Sequence, residues 1–333
     1  MTEFMRAKLN GNRVAEFHPR RLNLGGTVLD DHSRSLASKL IGEDYMKKIP
    51  ERMKPGAYLV TLCIFLFVVA NPSAAQQVQK STINRVKTLL KEGKPALGVV
   101  LTMPSPPAAE ILARAGFDWM WIDLEHSPID LETADRMIQA MQGMETVPIV
   151  RVAWNRHWLA KPVLDMGAKG VIMPWVNSKP EAVAAVQALR YPPEGLRGVG
   201  ASVAARRWGL PTSEYLKVAN QEILAILQIE NIEAVNRIDE ILTATGIDLI
   251  FIGPNDLSAS MGLLGQTTHP LVEEAIQKVL TATKKAKVPA GILAFNPDEA
   301  NRRIKQGFQF IAVASDGGLL SSGAKDVLRQ IKR

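Results

Sequence analysis

Gly116-Phe117-Asp118-Trp119-Met120-Trp121-Ile122-Asp123-Leu124-Glu125-His126-Ser127-Pro128 decides how the chain is read. The first half is large and apolar, as in a strand buried on both faces. Asp123, Glu125 and His126 then arrive together, and Pro128 ends the strand. An apolar strand running into Asp-x-Glu-His matches the C-terminal end of a barrel strand, where α/β barrels carry their reactive groups. The plainer alternative makes Asp123 and Glu125 solvated loop carboxylates, so the neighbouring segments must decide.

On either side of this stretch, strand-like and helix-like segments alternate at short spacing, the mark of a parallel α/β fold. The expected strands are 96–102, 118–123, 147–152, 170–174, 223–230, 248–253, 289–295 and 308–314. Helices are expected at 82–92, 107–115, 131–142, 157–166, 179–189, 232–244, 269–286, 297–306 and 323–331. Residues 190 to about 211, rich in Pro, Gly and Arg, read as irregular. Eight strands each followed by a helix is the count of a closed (β/α)₈ TIM barrel, and residues 76–333 match its usual size of about 250 residues. An open doubly wound sheet is the alternative. Against it, no G-x-G-x-x-G follows the first strand.

In a barrel the strand ends bring distant residues into one mouth. Strand two delivers Asp123, Glu125 and His126, and strand three ends at Arg151. Strand five reads Gln228-Ile229-Glu230, and the period of two puts Gln228 and Glu230 on one face. Strand six runs into Asn255-Asp256, and strand eight into Ser315-Asp316. Glu230 and Asp256 are hard oxygen donors suited to Mg²⁺, Mn²⁺ or a similar divalent ion. Asp256 also fits as a cap of the turn that follows it.

The net charge of +7 is front-loaded, with 11 Lys/Arg against 7 Asp/Glu in residues 1–56. No basic stripe interleaved with aromatics appears, which argues against a nucleic-acid partner. Residues 57–70 form an uncharged, almost wholly apolar run containing Cys63, the one cysteine. At 14 residues it falls short of the roughly 20 a membrane span needs. It has the layout of a secretory signal: Lys54 ahead of it, Ser73 and Ala75 behind it, and a cut expected between Ala75 and Gln76. The expected organisation is a poorly ordered extension or over-extended start at 1–52, a signal peptide at 53–75 and a barrel from 76. Periplasmic or secreted protein without a membrane span after cleavage is expected, with a cytoplasmic protein as the alternative.

Five separated motifs resemble one family. Asp123-x-Glu125-His126-x-Pro128, Val150-Arg151, Arg190-Tyr191-Pro192-Pro193-x-Gly195-x-Arg197-Gly198-Val199-Gly200, Gln228-Ile229-Glu230 and Gly253-Pro254-x-Asp256-Leu257-Ser258 are similar, in that order, to the HpcH/HpaI aldolases. These are metal-dependent pyruvate aldolases of 4-hydroxy-2-oxo acids. The resemblance covers roughly residues 80–325. It implies that Glu230 and Asp256 hold a divalent ion (Mg²⁺, Mn²⁺ or Co²⁺). Arg151 would neutralise an enolate, and His126 would act as base. Gln228, Asn255, Asp256 and Leu293 would contact substrate, and Asp123 and Glu125 would support the site. It also implies that Asp165 of a neighbouring subunit orients His126, within a homo-oligomer, by family likeness a hexamer. A departure is Leu124, where the family carries a small Gly; its bulk is expected to narrow the aldehyde side of the mouth. A CoA-ester lyase of the same superfamily and an exported oxo-acid-binding protein are the competing functions.

Overall fold

The structure, a computed structural model, describes residues 84–332 apart from Phe295. The extension 1–52, the signal segment 53–75 and the domain start at 76 lie outside the described residues.

The first half runs α1 (Arg85–Lys91), β1 (Ala96–Leu101), α2 (Pro106–Arg114), β2 (Trp119–Asp123), α3 (Leu131–Ala140), β3 (Val147–Arg151), α4 (His157–Asp165), β4 (Gly170–Met173), α5 (Lys179–Leu189), α6 (Ser202–Arg207) and α7 (Thr212–Glu222). The second half runs β5 (Leu224–Ile229), α8 (Ile232–Asn236), α9 (Ile238–Ile241), β6 (Leu249–Ile252), α10 (Pro254–Ser260), α11 (Pro270–Ala286), β7 (Ala290–Leu293), α12 (Pro297–Gln306), β8 (Phe310–Ser315) and α13 (Asp316–Gln330). The eight strands are parallel and close in sequence order, with β8 pairing back to β1. Closure rules out the open sheet.

Strand alternation divides the apolar residues into two layers. Trp119, Trp121, Ile149, Ile172, Leu224, Ile226, Leu249, Phe251 and Phe310 fill the barrel, and Val86 and Leu90 of α1 join them. Met120, Ile122, Val150, Val171 and Ile250 point the other way and pack with the surrounding helices. Trp119 stacks on Phe310 at 3.8 Å between ring centroids, a geometry worth about 0.5–1.5 kcal/mol beyond burial. Gly98 makes room for the stack, since a Cβ there would stand 2.1 Å from the Trp119 ring.

Several elements differ from the sequence reading. Part of the expected irregular region is the helix α6, which buries Ala204 and Ala205, and α7 follows it unannounced. The single helix expected over 232–244 breaks into α8 and α9 at Arg237, whose backbone leaves the helical region. Gly317 and Gly318, poor helix formers, mask the true start of α13 at Asp316. There the Ser315 hydroxyl accepts from the Gly318 N–H at 3.1 Å and starts the helix early. No helix among the described residues is long and apolar enough to cross a membrane.

Candidate active site

The mouth begins where β2 and β3 end side by side, with Asp123 in register with Arg151. Arg151 Nε donates to Asp123 Oδ1 at 2.8 Å and Nη2 to Oδ2 at 2.6 Å, a bidentate pair. Its third nitrogen, Nη1, lies 3.0 Å from Glu125 Oε2. The guanidinium rests over the Trp121 ring at 4.4 Å, so an apolar floor and two carboxylates hold a buried cation in one orientation. Burial pushes the Glu125 carboxyl up to about 7; attraction to Arg151 opposes this, and repulsion from Asp123 and Asp256 adds to it.

His126 stands at the edge of this group. Its side chain is 60% exposed, and Nε2 is 3.7 Å from Glu125 Oε2. It is a solvent-facing imidazole whose ion-pair neighbour is the carboxylate that Arg151 holds. Leu124, between the two acids, corrects an expectation. It packs against the outer cluster that contains Met120 and Ile122, because alternation sends residue 124 toward the helices when 123 and 125 face the mouth. Its bulk does not narrow the opening.

Across the mouth, β5 presents Gln228 and Glu230, both buried. The Trp175 N–H donates to Glu230 Oε1 at 2.9 Å. Gln228 Nε2 donates to Glu230 Oε2, and Gln228 Oε1 is buried without a hydrogen-bond partner. Gly253 permits this arrangement: a Cβ there would come within 2.8 Å of Glu230 Oε2 and 3.1 Å of Gln228 Nε2. Burial pushes Glu230 up to about 7; the Trp175 and Gln228 hydrogen bonds oppose this, and Glu125 and Asp256 add repulsion. Asp256 lies in the first turn of α10, but Gly253 is the N-cap, so Asp256 does not serve as the cap. Asn255 is exposed at the same helix start. Leu293, at the end of β7, is partly buried against the barrel-filling cluster.

The mouth therefore gathers four carboxylates, Asp123, Glu125, Glu230 and Asp256, of which the Arg151 guanidinium pairs with the first two. A divalent cation fits that imbalance. Glu230 and Asp256 would hold it, and the orphaned Gln228 Oε1 would face its ligands or substrate. No group of three His, Cys, Asp or Glu side chains suited to a metal occurs among the described residues. Two protein carboxylates leave the remaining positions of such an ion to substrate and water.

Two expected residues stand elsewhere. Asp316 does not face the mouth with a free carboxylate. Thr102 N–H donates to both its oxygens at 3.0 Å, Thr102 Oγ1 to Oδ1 at 2.7 Å, and Met103 N–H to Oδ2 at 2.9 Å. It clamps the end of β8 to the loop after β1. Asp165 ends α4, at the opposite end of the barrel from the mouth, and pairs with Arg197 of its own chain at 2.9 Å. A single chain does not bring it to His126. Sequence reasoning missed Trp154 and Trp175, which stack at 6.0 Å between centroids on the loops after β3 and β4.

Comparison with known proteins gives the family. The sequence model of the HpcH/HpaI aldolase/citrate lyase family matches residues 97–323. The chain is 44% identical over 245 residues to a pyruvate aldolase of Rhizobium etli, covering 73% of this chain and 95% of that protein. It is 41% identical over 244 residues to a 4-hydroxy-2-oxo-heptane-1,7-dioate aldolase of Escherichia coli, covering 73% and 92%. Among solved structures it is similar to an HpcH/HpaI aldolase/citrate lyase family protein from Burkholderia cenocepacia. That match has a TM-score of 0.69 and 35% identity and covers 74% of this chain and 98% of that one.

Proposed function

The chain belongs to the HpcH/HpaI aldolase/citrate lyase family, and we propose that it cleaves 4-hydroxy-2-oxo acids to pyruvate and an aldehyde with the help of a divalent metal ion. One observation carries the reading. Glu230 is 2% exposed, its carboxyl is pushed up to about 7, and none of the ion pairs among the described residues gives it a basic partner. A buried carboxylate in that position gains most from a cation brought in with the substrate.

When bound, the ion withdraws electron density from the 2-oxo group and so stabilises negative charge at that oxygen. This chain's residues supply the rest. Gln228 and the backbone at Asn255 and Asp256 hold the oxo-acid end, with Leu293 as an apolar contact. His126 takes the proton from the 4-hydroxyl. The C3–C4 bond breaks, its electron pair moves to C3 and the C2 oxygen, and the aldehyde leaves. Arg151, fixed by Asp123 and Glu125, lies ready to balance the enolate charge. Return of the proton to C3 completes pyruvate.

His126 is exposed, and among the described residues its one ion-pair partner is Glu125 at a loose 3.7 Å, so a partner oriented from outside the chain suits it. In this reading Asp165 of a neighbouring subunit is that partner, and the protein works as a homo-oligomer. The assay is pyruvate release coupled to lactate dehydrogenase. Chelator abolishes release and Mn²⁺, Co²⁺ or Mg²⁺ restores it. Full activity after exhaustive chelation sinks the metal-dependent reading, and cleavage of only CoA esters moves the protein to the lyase branch of the family.

A further inference from the structure

Trp175 has a backbone φ of 53°. A left-handed conformation is unfavourable for a bulky side chain, and residues held in it collect at functional sites. Two contacts explain its retention here. The Trp175 N–H reaches Glu230 Oε1 at 2.9 Å, and the indole lies 6.0 Å from that of Trp154 with an interplanar angle of 28°. The backbone turn thus performs two tasks, holding the carboxylate and placing a ring at the rim.

Trp154 follows Arg151 by three residues and is 46% exposed, a large apolar face left in solvent. Its partner ring belongs to a residue bonded to Glu230. The pair therefore forms an apolar stack on adjacent loops, between the end of β3 with Arg151 and the end of β5 with Glu230. Apart from Leu293 and the Trp121 ring, which Arg151 covers, the groups named in the mouth are charged or hydrogen-bonding, and those groups suit the oxo-acid end of a substrate.

We propose that Trp154 and Trp175 form the binding wall for the aldehyde half, so that the enzyme favours 4-hydroxy-2-oxo acids with a flat or apolar substituent at C4. The inference rests on the aldolase reading and names the substrate class of the same site. A ring or alkyl chain against the indoles loses water-exposed surface, and a ring also gains aromatic stacking, whereas the charged end of a carboxylate-bearing tail gains neither.

The test compares two substrates, one with a phenyl group at C4 and one with a carboxyethyl group, in the metal-supplemented full-length protein. Each is measured by pyruvate release with the unaltered enzyme, Trp154→Ala and Trp154→Phe. Trp154→Ala lowers the ratio of kcat/KM (phenyl over carboxyethyl) about tenfold. The loss lies mostly in KM for the phenyl substrate, and Trp154→Phe recovers most of it. Trp154 is on an exposed loop, so the fold tolerates both changes, and circular dichroism verifies this. An unchanged ratio in Trp154→Ala, or equal losses on both substrates, overturns the proposal while leaving the aldolase reading intact. Failure of the unaltered enzyme to release pyruvate from either substrate overturns the aldolase reading itself.

Discussion

Arg197 holds Asp165 from beneath: Nη2 lies 2.9 Å from Asp165 Oδ1, and the arginine side chain is 0% exposed while the aspartate is 25% exposed. The same nitrogen donates to the Tyr215 hydroxyl at 3.1 Å, and the guanidinium lies over the Tyr191 ring at 4.3 Å. Gly200 leaves the space, since a Cβ there would meet Asp165 Oδ2 at 2.4 Å. A carboxylate near a helix C-terminus opposes the dipole, and here the buried arginine offsets that. The outcome is an acid fixed at the surface, far from its own mouth.

That placement is tested by mixing. Asp165→Ala and His126→Ala each lose activity by about 10²-fold or more as pure proteins, the scale of a lost acid–base group. Co-assembled from unfolded or dissociated chains, they regain part of it, because some mouths then receive His126 from one chain and Asp165 from another. Mixed oligomers that recover nothing, or a fully active dilute monomer, mean that Asp165 serves no neighbouring histidine.

Glu230→Gln is expected to keep the fold and lose the metal. The new side chain still accepts from the Trp175 N–H through its oxygen. Gln228 can turn its amide over, and its orphaned Oε1 then accepts from the new NH₂ group. The charge that attracts the cation is gone, so metal affinity measured by calorimetry falls by at least about tenfold, with the melting temperature of the metal-free protein unchanged or raised. Metal affinity equal to that of the unaltered protein removes Glu230 from the ligand set.

The Glu125 carboxyl, pushed up to about 7 by burial and by Asp123 and Asp256 despite Arg151, makes stability depend on pH. Its folded pKa exceeds the value of 4.5 it has when unfolded. The folded state therefore binds more protons between the two. Its contribution is fully present below about 4.5 and is lost as pH rises through about 7. Measured with chelator present, the melting temperature of the unaltered protein falls from pH 5 to pH 8 more than that of Glu125→Gln. Parallel curves for the two proteins leave Glu125 without a titration in this window.

How much of this was legible in the sequence follows the range of the interactions. The barrel and the shared face of Gln228 and Glu230 rest on local alternation, which a strand enforces residue by residue. The same rule also turns Leu124 away from the mouth, although a change from Gly drew attention to its bulk. Asp316 was misplaced because its partners, Thr102 and Met103, lie more than 200 residues away. Nothing local distinguishes that clamp from a free carboxylate. Arg197 carried a motif position but no hint of Asp165, and the left-handed backbone of Trp175 exists because β5 supplies Glu230. The helices α6 and α7 were hidden by Gly and Pro between them, since their stability comes from packing rather than propensity.

The apolar run at 57–70, preceded by Lys54 and followed by Ser73 and Ala75, supports the proposal that the protein is exported and cut before Gln76. Amino-terminal sequencing of the native protein then starts at or near Gln76. A native chain with residues 1–52 intact refutes it.

Asp316 offers a prediction that separates fold from chemistry. Its carboxylate is 3% exposed and takes the Thr102 and Met103 N–H groups and the Thr102 hydroxyl. It also accepts from the Gly317 N–H at 2.7 Å. This pins the closing strand to the loop after the first one. Asp316→Ala leaves those buried donors without an acceptor, at a cost of about 2–4 kcal/mol. Asp316→Asn keeps one acceptor oxygen, turns the other into a donor facing a backbone N–H, and costs roughly 1–3 kcal/mol. Both variants unfold at lower denaturant concentration with an unchanged m-value, while divalent-metal affinity at low temperature stays that of the unaltered protein. If Asp316→Asn instead loses the metal and keeps its stability, the carboxylate belongs to the site and the clamp is the wrong account of it.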